Sequence, residues 1–133
     1  MILDTAFFIS LFKRTPAAFS KGSELADAGI VQRIPSPVMY ELQYGVEIGG
    51  NEDESRMMEN LAHLYPVVEV DDRLARQAGR LCATADTAAG GVDQAGIDDI
   101  DPLVAAVADE YNEPVLTRNA KDFRKLGVEV ETY

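Results

Sequence analysis

The sequence predicts an α/β fold built on a mostly parallel sheet, and three observations carry that prediction. Five short apolar runs alternate with helical stretches along the chain, the order expected of parallel strands joined by crossover helices. The helical stretches open at capping residues or Pro and close at Gly or basic residues. No repeat, low-complexity tract or composition break divides the 133 residues, a length that suits one domain spanning 1–133.

Residues 1–3 form the first strand, which ends at Asp4. Thr5 can cap a helix whose Phe7, Phe8, Leu11 and Phe12 share a face, with Lys13 and Arg14 at its favourable C-terminal end. Thr15 and Pro16 read as cap and first turn of a second helix, interrupted at Gly22 and stopped at Gly29. A strand is expected over 30–34, closed by Pro35. Ser36 and Pro37 repeat the cap-then-proline pattern and open a helix carrying Val38, Met39, Glu41, Leu42 and Val46, stopped by Gly49 and Gly50. Asn51, followed by Glu52, Asp53 and Glu54, starts a further helix that runs to about Leu64. Residues 67–70 are strand-like, and Asp71 caps a long helix through Leu74, Ala78, Leu81 and Ala85. Residues 90–96 form a glycine-rich loop without a functional reading. Asp101 and Pro102 start a helix to about Tyr111; a strand at 115–117, a short helix at 121–125 and a last strand at 128–131 complete the chain.

Twelve Lys+Arg face 23 Asp+Glu, giving a net charge of −11. Hydrophobic residues at 47% and charged residues at 26% make a globular balance that argues against disorder. The acidity at first argues against nucleic acid, because excess carboxylate repels phosphate backbones. Only four of the cations are Lys (13, 21, 121 and 125). That is the balance of a surface adapted to high salt, or of an acidic protein that is simply soluble. The lone Cys82 excludes an internal disulfide and suits a reducing cytosol. The longest near-apolar run, residues 6–12, is far short of the ~20 residues that span a bilayer, and no secretory signal is readable. A cytoplasmic protein is expected.

Glycine-rich phosphate loops are absent. With His63 and Cys82 alone of their kinds, a zinc site or a His-based triad has almost no material, and both read as structural. Oxygen ligands are plentiful, and they suit magnesium or manganese. In open parallel sheets, sites form beyond the carboxyl ends of strands, where Asp4, Thr117 and Asn119 fall. Asp4 ends an apolar strand, which solvation explains poorly and helix capping explains equally well. Each remaining acid has an ordinary explanation: Glu41 an exposed helix residue, Asp101 a cap before Pro102, Asp98 and Asp99 solvated loop charges, Asp122 a first-turn acid.

As an ordered set these residues resemble PIN-domain ribonucleases, in particular the VapC toxins of VapBC toxin–antitoxin pairs. M-I-L-D-T-A-F-F-I over 1–9 is similar to the family's opening strand, which ends in Asp and then Thr or Ser. S-P-V-M-Y-E-L-Q-Y-G over 36–45 resembles the second motif, with Glu41 before L-x-x-G. I-x-x-x-D-P-L-V-A-A over 97–106 places Asp101 in the third, and T-R-N-x-x-D-F over 117–123 resembles the fourth. Two departures stand out: Ala6 where many relatives have a hydroxyl or amide, and Asn119 where some carry a fourth acid, leaving Asp122 as its substitute.

The resemblance implies a PIN-like three-layer α/β/α domain with four to five short strands, and metal-dependent endoribonuclease activity. It implies that Asp4, Glu41, Asp101 and Asp122 hold Mg²⁺ or Mn²⁺ and carry hydrolysis of RNA to a 5′-phosphate and a 3′-hydroxyl. Crowded carboxylates need such a cation to relieve their repulsion. Thr5, Thr117 and Asn119 are then candidates to orient the ligands. Lys13, Arg14, Arg118 and Lys121, with Arg124 and Lys125, are candidates to hold RNA. A VapB-like antitoxin and a second copy of the chain are the implied partners. Two other readings compete: a catalytically silent PIN-like module that binds RNA or a partner, favoured by Ala6 and Asn119, and a phosphotransfer domain, which would need a second Asp after Thr5.

Overall fold

Five short strands run parallel through the computed structural model, which describes all 133 residues: β1 (Ile2–Leu3), β2 (Ile34–Pro35), β3 (Val67–Val68), β4 (Val115–Leu116) and β5 (Val130–Glu131). β1, β4 and β5 form one ladder and β2 and β3 another, and a parallel bridge from Ile2 to Arg33 joins them. The combined order is β3–β2–β1–β4–β5, with β1 central. Its core strands are apolar without alternation because both faces are covered: Ile2, Leu3, Ile34, Val115 and Leu116 are fully buried.

The helices are α1 (Thr5–Phe12), α2 (Pro16–Asp27), α3 (Ser36–Gly49), α4 (Glu52–Leu64), α5 (Asp72–Ala89), α6 (Asp101–Tyr111) and α7 (Ala120–Lys125). α1 packs on α2 and α3, and α3 on α4; α6 lies against β1, β2 and β4 with α5 along it. The run from Val104 to Ala108 is buried all round, and its small side chains let α6 approach the sheet and α5 at once. The α/β fold with a parallel sheet of five short strands is the one the sequence predicts.

Local details differ. α2 is not interrupted at Gly22, which packs beside the Phe7 ring. Gly29, at φ +69°, does terminate the helix, and the Ile30 amide returns to the Leu25 carbonyl as in a glycine-closed helix end. The strand expected over 30–34 shrinks to β2, because Ile30 and Val31 are exposed and only Arg33 reaches β1. Pro35 lies inside β2 instead of closing it, and Ser36 is the first residue of α3 instead of its cap. The Ser36 hydroxyl accepts from the Val70 amide at 3.0 Å and ties down the chain after β3. The other strands are also shorter than expected, since each ladder extends only as far as its partner strand.

Thr15 caps α2 by position without a side-chain bond, whereas Asn51 and Glu54 form a complete capping box on α4. In the loop over 90–96, the Asp86 carboxylate accepts from the amides of Asp93 and Ala95 at 3.2 and 3.0 Å. Cys82 is half-buried against the core and His63 is exposed. No helix is long and apolar enough to cross a membrane.

Candidate metal centre

Because all strands run the same way, the residues that follow β1 and β4 meet at one edge of the sheet. Asp4 follows β1, and Thr117 follows β4 with its own side chain fully buried. The Thr117 hydroxyl donates to Asp4 Oδ2 at 2.7 Å and accepts from the Asn119 amide at 2.9 Å, so it fixes one carboxylate oxygen. Asp4 holds the cap position of α1 without a well-formed side-chain capping bond. Burial raises the Asp4 pKa. Hydrogen bonding from Thr117 and the pull of the Thr5 and Ala6 amides oppose that rise, and the Glu41 charge adds to it.

Asp101 departs further from an ordinary role. It is the first residue of α6, not its cap; Ile100 holds the cap position. Burial, then the charges of Asp4 and Asp122, push its pKa up to about 8. Its Oδ2 is buried without a hydrogen-bond partner. Asp122, buried on α7, accepts from the Asp98 amide at 3.2 Å. Asp98, Asp101 and Asp122 each bring a carboxylate oxygen within 4.8 Å of the other two. No ion pair in the structure involves these three acids, Asp4 or Glu41.

Glu41 is half-buried on α3 and accepts from the Thr5 hydroxyl at 2.6 Å. Thr5 thus ties the start of α1 to α3 instead of capping its own helix. An open cavity of about 390 Å³ connects these groups, lined among others by Asp4, Ala6, Glu41, Asp98, Asp101 and Asn119. The Ala6 side chain offers no polar atom to this region, and the Ser10 and Tyr133 hydroxyls both bond its carbonyl.

The residues fit a divalent cation. Largely buried carboxylates crowded together without a protein counter-charge are costly, and Asp101 Oδ2 has no hydrogen-bond partner. Oxygen-only donors are the set that hard cations take.

The structure therefore brings Asp4, Glu41 and Asp101 to one cavity and sets Asp122 against Asp101. Asn119 lines the cavity but is exposed, while the buried carboxylate beside Asp101 belongs to Asp122. Asp98 is the acid that the sequence reading passed over as a solvated charge. Its signal is the three-residue spacing to Asp101: a turn, closed from the Asp101 amide to the Asp98 carbonyl at 3.2 Å, makes the two acids neighbours.

The basic candidates separate. Lys13 lines a smaller cavity of about 150 Å³ that shares Ile9 and Glu41 with the acidic one. Arg118 is exposed beside Asn119. Arg14 lies 3.7 Å from Asp53, Lys125 donates to the Ala95 carbonyl, and Lys121 and Arg124 are exposed on α7.

The sequence matches the PIN-domain family over residues 1–129. The chain belongs to the PIN-domain family. Among solved structures, this PIN domain is similar to VapBC2 from Rickettsia felis bound to a DNA fragment from its promoter, with 21% identity and a TM-score of 0.81 over 99% of this chain and 97% of that one. DNA-bound VapBC from Salmonella typhimurium gives 22% identity and 0.81 over 98% and 96%. VapBC-1 from nontypeable Haemophilus influenzae gives 21% and 0.75 over 98% and 96%. At these identities the likeness is one of fold. No curated protein matches the chain by sequence. The acidic cavity of this PIN domain lies where an α/β fold places a site, at the carboxyl edge of its central strands.

Proposed function

We propose that this PIN domain is a metal-dependent endoribonuclease, the toxin of a toxin–antitoxin pair. The observation that carries this reading is the buried acidic cluster without a protein cation, centred on the unpartnered Oδ2 of Asp101. Asp4, Glu41, Asp101 and Asp122 are the residues that would hold Mg²⁺ or Mn²⁺, with Asp98 at their border. Such an ion, when bound, neutralises the carboxylates, acidifies water for attack on a phosphodiester and stabilises charge on the phosphate.

The protein's own part is orientation. Thr117 holds Asp4 and Thr5 holds Glu41, each through a hydroxyl hydrogen bond, so neither carboxylate needs to reorganise. The crowded carboxylates repel a phosphate backbone, and a bound cation therefore favours RNA at the site. Lys13, Arg118, Lys121 and Arg124 are the exposed candidate cations left to touch the RNA backbone. The silent-module alternative rests on Ala6 and Asn119, yet Asp122 supplies the acid that Asn119 lacks.

Two uncovered apolar surfaces support the partners. A groove of about 460 Å³ between α1, α2 and α4 is walled by Phe8, Phe12, Phe19 and Leu64, with Phe19 53% and Leu64 71% exposed, and suits an apolar segment of an antitoxin. Tyr40, Tyr44 and Ile48 form an exposed row on α3 that suits a second copy of the chain. The lone Cys82 fits a reducing cytoplasm.

The test is cleavage of RNA with and without Mg²⁺ or Mn²⁺, beside Asp4→Asn and Asp101→Asn. Metal-dependent cleavage lost in both variants supports the reading. Absence of cleavage at every salt and metal concentration, or equal cleavage by the variants, overturns it.

A further inference from the structure

Arg118 is an exposed cation in a chain of net charge −11, yet it pairs with no carboxylate. Its guanidinium carbon lies 5.0 Å from the centre of the Tyr133 ring instead, a cation–π stack that holds the group without neutralising it. Tyr133 is itself fixed from several sides. Its ring meets Phe7 edge-on at 5.4 Å and 86°. Its hydroxyl lies 2.9 Å from Ser10 Oγ and 3.2 Å from the Ala6 carbonyl. Ala6 lines the acidic cavity, and so does Asn119, the neighbour of Arg118 in sequence. Tyr133 thus bonds one residue that lines the cavity and Arg118 adjoins another in sequence, which ties the stack to the start of α1 and the turn after β4.

A guanidinium is a planar fork of donors matched to phosphate oxygens, and a neutral aromatic support leaves that fork free. An Arg left to itself among so many acids would be expected to find one. We propose that Tyr133 is a positioning residue: it keeps the Arg118 guanidinium at the mouth of the acidic cavity, open to a backbone phosphate next to the one cleaved. This rests on the ribonuclease reading, and the experiment separates the two.

Binding of a labelled single-stranded RNA oligonucleotide is measured by fluorescence anisotropy in the Asp101→Asn background, and KM and kcat for cleavage in the otherwise unaltered chain. Arg118→Ala is expected to weaken binding and raise KM by about 5–10-fold, with kcat within about twofold. It should also flatten the slope of log Kd against log salt by ~0.7, one phosphate contact on a single strand. Tyr133→Leu should raise Kd by about 3–5-fold when Arg118 is present and add nothing to Arg118→Ala, while Tyr133→Phe, which keeps the ring, recovers most of the affinity. If Tyr133→Leu does not fold, Arg118→Lys tests the pair from the other side. It keeps the charge but not the planar guanidinium, and about half of the alanine loss is expected. Unchanged binding by Arg118→Ala, additive losses from the two substitutions, or wild-type affinity in Arg118→Lys overturns the proposal. Coupled binding losses in a chain that cleaves no RNA retain the positioning role and refute the ribonuclease.

Discussion

Two carboxylates at opposite ends of β1 and β4 meet opposite fates. At the amino edge, Glu113 lies 2.5 Å from the Met1 ammonium and 3.3 Å from Arg33, which stacks on Tyr111 at 4.4 Å. Burial raises the Glu113 pKa, but hydrogen bonds from the ammonium and Arg33 outweigh it and hold the group below the usual range. At the carboxyl edge, burial acts on Asp101 as well, but the nearest charges are other acids, and its pKa climbs to about 8. Burial alone does not make a site. The difference is the missing counter-charge: the amino edge is satisfied from within, and the carboxyl edge keeps a repulsion that a proton or an outside cation must relieve.

The sharpest way to break this contrast is to neutralise one carboxylate at each edge. Asp101→Asn is expected to lower metal-dependent RNA cleavage by about 10³-fold or more, while raising the thermal midpoint of the metal-free protein. Glu113→Gln is expected to do the reverse. Cleavage stays near wild type, and stability falls by about 1–3 kcal/mol, because the buried ammonium loses its charged partner. Cleavage rates and thermal melts in EDTA read both effects. Equal destabilisation by the two substitutions would show that the carboxyl edge is ordinary structure.

Loading the site sharpens the contrast from the other side. At Mg²⁺ or Mn²⁺ concentrations about 100-fold above Kd, mass action should stabilise the wild type by ~2.7 kcal/mol. Glu113→Gln should keep that gain. Asp4→Ala and Asp101→Asn should lose most of it, and equal metal-induced shifts in all four proteins would refute the site.

The contrast was only partly legible in the sequence, for identifiable reasons. The alternation of strands and helices could be read because buried parallel strands such as Ile2-Leu3 and Val115-Leu116 are apolar without interruption. Asp4, Glu41, Asp101 and Asp122 stood out through their order along the chain, not through any local pattern. Capping rules pointed the wrong way at Asp101, since Asp before Pro reads as a cap and the chain instead starts α6 one residue earlier. Strand lengths were illegible because pairing is limited by the partner strand. The Tyr133–Ala6 bond spans 127 positions, and no local signal reaches that far.

The two edges should also titrate with opposite sign. Asp101 binds its proton more tightly folded than unfolded, so its contribution is full below about pH 4 and is lost as pH rises towards about 8. Glu113 binds its proton less tightly when folded; its contribution is present above its unfolded pKa near 4.5 and is lost as pH falls through its lowered folded value. Urea midpoints of the metal-free wild type should therefore decline between pH 5 and 8. Asp101→Asn should remove most of that decline, and Glu113→Gln should leave it in place. A decline unchanged in Asp101→Asn would assign it to other groups.

The smallest effect expected is that of salt, and it bears on the net charge of −11. Raising monovalent salt from 0.15 to 1 M shortens the Debye length from about 8 to about 3 Å, which screens exposed charges far more than buried ones. The Met1–Glu113 pair is largely enclosed and should lose little, whereas the acids around the open cavity and over the surface repel one another less. The metal-free protein should therefore gain a few degrees in thermal midpoint, and Asp101→Asn somewhat less, because part of the repulsion is already gone. Cleavage is expected to persist in that salt, since Asp4, Asp101 and Asp122 are buried and are screened less than the exposed Arg118 contact. A sharp fall in both midpoint and cleavage would mean that exposed ion pairs such as Arg73–Glu110, not screened repulsion, dominate the surface.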